Sequence, residues 1–336
     1  MPGRPRASAL EVFSTCPASS GADLATYRQR VVDVARWCEE SGCTGILVYS
    51  DNSQLDPWAV ADVILGHTTA LCPLIAIQPI YMHPYTVAKA ITSIAALRGR
   101  RVFLNMVAGG FTNDLAALND QTPHDKRYAR LAEYTLIIRQ LLETSGPVSF
   151  EGEFYKVDKL RLSPPMDPAL LPGFLISGSS EAGLAAAKAI EATAIKYPKP
   201  AHEEAGADAG IACGIRVGII AREDEAEAWR VALSRFPEDR KGQITRQLAT
   251  KVSDSVWHKQ LSALEDTAGR HPYWLVPFQN YKTMCPYLVG SYEQVGEEMG
   301  KYFAGGYRTV ILDVPTEPED LLHTSAAFSR ALQPVQ

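Results

Sequence analysis

Val102-Phe103-Leu104-Asn105-Met106-Val107-Ala108-Gly109-Gly110 is an apolar strand interrupted by one amide and ended by two glycines. Apolar residues on both faces mark a strand of a parallel sheet covered by helices. Asn105 within it needs a partner, because a buried amide left unpaired costs roughly 1–3 kcal/mol. A ligand is one solution. A neighbouring side chain or an ordered water in a packed core is the other. The glycines that end the strand beside this amide point to a chamber at its carboxyl end.

The same rhythm extends upstream. Leu10-Glu11-Val12-Phe13 reads as a strand, followed by a helix over 27–40 with Val31, Val34, Ala35 and Cys38 at helical spacing and Gly42 as its stop. Gly45-Ile46-Leu47-Val48-Tyr49 precedes a helix over 57–64, and Leu74-Ile75-Ala76-Ile77 precedes one over 85–97. Four strand-helix units in a row argue for a parallel sheet with right-handed crossovers.

Downstream, a polar stretch over 112–127 interrupts the pattern before a strong helix over 128–142. Val148-Ser149-Phe150 and Phe154-Tyr155-Lys156-Val157 flank Glu151-Gly152-Glu153, the signature of a hairpin. After a proline-rich loop over 163–172 come the strand Phe174-Leu175-Ile176-Ser177 and a helix over 181–190. Thr193-Ala194-Ile195, the run over 211–220 and Arg308-Thr309-Val310-Ile311-Leu312 supply the sixth, seventh and eighth strands, and a helix over 321–332 closes the chain. Eight units predict an α/β protein of the (β/α)8 TIM-barrel class, ordinarily about 250 residues long. The surplus lies mainly between strands 7 and 8, so 236–290 is expected to be an inserted helical and lid segment within one domain spanning 1–336. A doubly wound open sheet is the alternative architecture.

With 46% hydrophobic and 21% charged residues, the 336-residue chain has the balance of a globular protein. A formal charge of −5 provides no basic footprint for nucleic acid or an anionic membrane, so neither is expected as a partner. No run reaches the roughly 18 apolar residues of a membrane span. The six cysteines include no Cys-x-x-Cys pair, which favours reduced thiols, a cytoplasmic location and no metal site.

Side-chain alternation then nominates residues for chemistry. In the seventh strand Cys213, Ile215, Val217 and Ile219 suit the helix layer, leaving Gly214, Arg216 and Gly218 toward the barrel centre. A guanidinium between two absent side chains requires an acidic partner or a ligand. On the third strand Ala76 and Gln78 share a small, polar face, and Asn105 and Gly109 continue it on the fourth. Ser177-Gly178-Ser179-Ser180 closes the fifth strand and opens a helix, where backbone N–H groups and the helix dipole suit a phosphate; an ordinary capped helix is the structural alternative. Gly178 and Gly183 have P-loop spacing, but Leu184-Ala185 replaces the required Lys-Ser/Thr, so nucleotide triphosphate chemistry is excluded. His83 before Pro84 either orders a turn or borders the site, and Arg127 and Tyr128 begin a helix within reach of a phosphate. No nucleophile elbow or carboxylate pair suggests a hydrolase.

Five segments in order resemble the bacterial luciferase-like flavin monooxygenases, particularly the alkanesulfonate monooxygenase branch. They are Ala76-Ile77-Gln78-Pro79 through Lys89, Arg100 through Gly109, Lys126-Arg127-Tyr128, Ser177 through Ser180, and Gly214-Ile215-Arg216. The resemblance implies a barrel that accepts reduced FMN from a separate flavin reductase, with oxygen as co-substrate. It implies a flavin ring near Ala76, Gln78 and Asn105, and a phosphate held by Tyr128, Ser177, Gly178, Ser179 and Ser180. Arg216, Tyr197 and Asn105 are the expected catalytic or substrate contacts, and a homodimer is the expected assembly. The aromatic stretch with Trp274, Phe278, Tyr281 and Tyr287 is the expected lid.

The departures are equally specific. Gln54 stands where sulfonate-oxidising relatives carry a cysteine, Gly218 where they carry a histidine, and the region around Pro315 lacks an expected tyrosine. Alkanesulfonate is therefore not the expected substrate, and a small or carrier-bound organic molecule in a biosynthetic or tailoring pathway is. Two other functions fit the same barrel: hydride transfer with a deazaflavin, and flavin binding without catalysis.

Overall fold

The computed structural model describes residues 10–333 except 110, 179, 209, 238, 241, 244–255 and 265–271. Eight parallel strands close a barrel in the order β1 (Glu11–Thr15), β2 (Gly45–Val48), β3 (Cys72–Ile77), β4 (Phe103–Met106), β7 (Gly173–Ser177), β8 (Thr193–Lys196), β9 (Cys213–Arg222) and β12 (Thr309–Leu312). Closure is explicit in the register: Ile195 of β8 lies opposite Gly214 of β9, and Ile311 of β12 lies opposite Phe13 of β1. An open sheet is thereby excluded. The hairpin expected near 148–157 is present as β5 (Val148–Glu151) and β6 (Lys156–Leu160).

Helices α1 (Leu24–Glu40), α2 (Pro57–His67), α3 (Pro84–Arg98), α5 (His124–Glu143), α6 (Glu181–Ala189) and α7 (Glu225–Arg235) follow their strands, and the short α4 (Thr112–Ala117) lies inside the stretch read as merely polar. Asp23, Asp56, His83, Ser180 and Asp224 each accept a first-turn N–H at their helix starts. His83 thus has a definite structural task, its Nδ1 accepting from Tyr85 N at 3.2 Å.

The sixth unit departs from the expected pattern. Between β8 and β9 the described residues form no helix. Pro198, Pro200, Gly206 and Gly210 oppose one, and the backbone of this loop is held by side chains from elsewhere. Tyr273 donates to Pro198 O at 2.8 Å, Tyr302 donates to Lys199 O at 2.5 Å, and Ala201 N donates to Glu298 Oε1 at 2.8 Å.

The insert contains α8 (Val256–Ala263), β10 (Tyr273–Trp274), α9 (Val276–Gln279) and β11 (Tyr287–Ser291), and joins the barrel through its last strand. β11 runs parallel to the second half of β9, with Tyr287 opposite Gly218, before α10 (Tyr292–Ala304), β12 and α11 (Glu319–Ala331) complete the chain.

Phe13, Leu47, Leu74, Phe103, Leu175, Ile195 and Ile311 fill the barrel interior, with the Phe13 and Phe103 rings edge to face at 5.1 Å. Large side chains use the space left by glycines, since a Cβ at Gly173 would lie 2.3 Å from the Phe103 ring. The opposite strand faces, including Ile75, Leu104, Ile176, Ile215 and Val217, pack in the main apolar core. This interior plug confines any chamber to the carboxyl ends of the strands.

Candidate functional site

Two residues beyond each plug position, the inward side chain becomes small or polar. Tyr49 follows Leu47, Ala76 follows Leu74, Asn105 follows Phe103, Ser177 follows Leu175, Tyr197 follows Ile195, and Asp313 follows Ile311. Arg216, paired with Ile311 on β12, meets this layer through the Tyr49 and Tyr197 rings.

Asn105, 5% exposed, receives its hydrogen bond from within the protein: Ser177 Oγ donates to its Oδ1 at 3.0 Å. This bond joins the amide wall to the serine corner, two features read separately in the sequence. Gln78 Nε2 donates to Ser50 O at 3.0 Å, and Gln78 and Ala76 line a cleft of about 260 Å³ with Ser50, Asp51, Trp58 and Tyr81. Trp58 Nε1, on the same lining, is buried without an acceptor.

At the corner, Ser180 Oγ accepts from Gly183 N at 3.0 Å and starts α6. The Tyr128 ring lies directly over this turn. A Cβ at Gly178 would sit 2.5 Å from the Tyr128 hydroxyl, and one at Gly183 would sit 3.3 Å from its ring. Gly178 also has φ +155°, a conformation that disfavours any side chain. Ser179 lies outside the described residues. Glu181 occupies the first turn of the helix and complements its dipole with a carboxylate. Arg127 turns away, its Nη1 donating to Thr122 O at 2.9 Å.

The charged pole is Arg216, 5% exposed, with its Cζ 5.1 Å from the Tyr49 ring centroid and 6.0 Å from that of Tyr197. Its Nη2 donates to the Tyr49 hydroxyl, whereas its Nε is buried with no partner. Burial opposes the charge, yet beside Tyr49, Tyr197, Cys285 and the Asp313 carboxylate the guanidinium is held well above its ordinary value and stays protonated. Asp313 forms no ion pair with it. Instead Asp313 Oδ2 accepts from Thr283 Oγ1 at 2.5 Å and from the Tyr287 hydroxyl at 2.8 Å. Burial pushes the neighbouring Cys285 thiol up to about 12, which keeps it neutral and unreactive.

Sequence reasoning missed Tyr49, Trp58, Asp313, Thr283 and Cys285. The first and third carried a signal, since alternation along their strands puts them inward. The insert residues carried none. Of the aromatics expected in the lid, Trp274, Phe278 and Tyr287 are buried, and Trp274 and Tyr287 both pack against Phe236. Gln54 ties two mouth loops together by accepting from Ser19 N at 2.8 Å and Ser19 Oγ at 3.0 Å.

A closed eight-stranded barrel with an apolar plug and polar groups confined to its carboxyl end defines the (β/α)8 enzymes, whose sites lie at that face. Within that class the chain belongs to the luciferase-like monooxygenase family, whose model matches residues 10–309. It is a flavin-dependent monooxygenase. The 4-(gamma-L-glutamylamino)butanoyl-[BtrI acyl-carrier protein] monooxygenase BtrO of Niallia circulans is 35% identical over 318 residues, covering 92% of this chain and 93% of that protein. Two solved structures share the fold at low identity. A riboflavin lyase holding modified FMN and riboflavin superposes with TM-score 0.72 at 15% identity, covering 97% of this chain and 93% of the other. An F420-dependent secondary alcohol dehydrogenase gives TM-score 0.65 at 14% identity, covering 97% and 100%.

Proposed function

We propose that this protein is the oxygenase of a two-component system, using reduced FMN from a separate flavin reductase and O2 to oxygenate an organic substrate in a biosynthetic or tailoring pathway. The observation that carries this reading is the continuous wall from Ala76 and Gln78 through Asn105 to Ser177, which ends at the glycine turn beneath Tyr128. Small residues leave room for a planar ring, and the helix start offers N–H groups to a phosphate. In this reading Ala76, Gln78 and Asn105 border the ring, while Tyr128 and the turn from Ser177 through Gly178 and Ser179 to Ser180 hold its phosphate. Arg216, Tyr197 and Asn105 face the reacting centre.

Reduced flavin, when bound, supplies the reactivity toward oxygen. The chain's own residues orient it and exclude water: the plug seals the barrel from below, and the packed insert walls the side of β9. The resemblance to a monooxygenase named for a carrier-bound acyl chain supports a carrier-bound substrate over a free sulfonate. Free thiols at all six cysteines agree with a reducing cytoplasm. We also propose a homodimer and a single domain in which 236–290 is an insertion.

Anaerobic titration with reduced FMN, followed by aerobic turnover with a flavin reductase over free and carrier-bound acyl substrates, tests this reading. Oxygen-dependent product is expected. Binding of a deazaflavin alone, with substrate oxidised without O2, would replace it with hydride transfer, for which the fold shared with an F420-dependent enzyme leaves room. Tight flavin binding with no product from any substrate would favour a non-catalytic flavin protein.

A further inference from the structure

Two hydrogen-bond donors meet at the mouth without acceptors. Arg216 Nε–H is buried and unpartnered on a residue only 5% exposed. The Tyr49 hydroxyl accepts from Arg216 Nη2, so its own proton points elsewhere, and no described residue receives it. Nε belongs to the same guanidinium that donates to the Tyr49 oxygen, so the two donors sit on groups in direct contact.

We propose that Tyr49 and Arg216 form a site for a carbonyl oxygen of the substrate, with Tyr49 determining specificity; this rests on the mouth being the chamber of the proposed oxygenase. The donors set the ligand's chemistry. The unpaired donors are one N–H and one phenolic O–H, not the paired N–H groups with which a guanidinium grips a carboxylate. One N–H and one O–H instead match the two lone pairs of a single acyl oxygen. The phenol remains a donor because burial raises its pKa more than the nearby Arg216 charge lowers it. A ligand lacking the carbonyl would leave the buried Nε–H and the half-buried phenol proton unpaired, and that penalty underlies discrimination.

The test uses the full-length protein without flavin and two probes: the butanoyl thioester of N-acetylcysteamine, and its S-butyl thioether, which differs only by CH2 in place of the acyl C=O. Calorimetry on wild type should give at least about tenfold tighter binding of the thioester, a difference of about 1.4 kcal/mol. Tyr49→Phe retains the ring against Arg216 and should lose most of that preference, while its affinity for reduced FMN stays within about twofold of wild type. Arg216→Lys should behave likewise, and urea unfolding of both variants reports whether they fold. Because Tyr49→Phe removes one oxygen atom only, it decides the matter if Arg216→Lys fails to fold.

Equal binding of the two probes by wild type, or no thioester binding in the millimolar range, would overturn the proposal. So would an unchanged preference in Tyr49→Phe. A parallel loss of reduced FMN affinity would assign the donors to the cofactor instead. Failure of the oxygenase reading appears separately, as absent O2-dependent product with the probe preference intact.

Discussion

Gly178→Ala separates two demands made on the corner between β7 and α6. The new Cβ would lie 2.5 Å from the Tyr128 hydroxyl but 3.4 Å from the ring carbon bearing it, an ordinary contact. The ring has little freedom to retreat, because Gly183 packs beneath it and the His124 ring lies 5.2 Å away. Overpacking of this kind costs about 1–3 kcal/mol. The φ of +155° adds about 1–3 kcal/mol that does not depend on Tyr128. Gly178→Ala should therefore destabilise wild type by about 2–6 kcal/mol, but a Tyr128→Phe background by only the backbone share. Urea unfolding of the four proteins measures the coupling, expected at about 1–2 kcal/mol. Reduced FMN affinity should fall in Gly178→Ala and recover partly in the double variant. A coupling indistinguishable from zero would refute the idea that Gly178 makes room for the phenol.

Three further outcomes follow from packing and charge. Gly218→Ala would set a Cβ 2.3 Å from the buried Tyr287 ring, which Phe236 backs at 5.0 Å between centroids, so urea unfolding should show a loss of about 3 kcal/mol or more. Asp313→Ala, which strips Thr283 and Tyr287 of their acceptor, should cost about 2–4 kcal/mol in the same assay, whereas Asp313→Asn, retaining one carbonyl oxygen, should cost less than half as much. Burial alone would raise Asp120, but hydrogen bonds from Arg130 and Thr122 outweigh it and hold the carboxyl at about 2. That stabilisation is complete above the ordinary value of 3.8 and disappears as pH falls through about 2, so the stability gap between wild type and Asp120→Asn should shrink across this window by on the order of 1–2 kcal/mol.

The barrel was legible because each of its strands is a short apolar run ended by turn residues, and because alternation separates the plug from the helix-facing layer. Asn105 and Ser177 were both legible as polar positions at strand ends. Their bond was not, since it depends on the register between β4 and β7, where Asn105 faces Leu175. The sixth crossover was read as one more strand-helix unit, although Pro198 and Pro200 already opposed a helix. What holds its loop comes from Tyr273, Glu298 and Tyr302, about 70 to 100 positions away, and local sequence contains nothing about that.

Gly218 shows why the site itself was the least legible part. Read along β9, it is an empty inward position beside Arg216. In the folded chain that space belongs to Tyr287, brought there by the parallel pairing of β11 with β9. The same tyrosine, with Thr283, engages Asp313 just past the end of the neighbouring β12. The insert thereby does more than cover the barrel. With Asp313 engaged by Thr283 and Tyr287, the buried guanidinium has no ion pair and keeps a hydrogen bond to the Tyr49 hydroxyl, the Tyr197 ring and one unpaired N–H. A charge held without an ion partner favours any ligand that brings an acceptor, because such a ligand relieves a penalty already built into the fold. The surroundings of Arg216 are thus set largely by Tyr49, Thr283, Tyr287 and Asp313, all more than 60 positions away, through strand pairing rather than spacing along the chain.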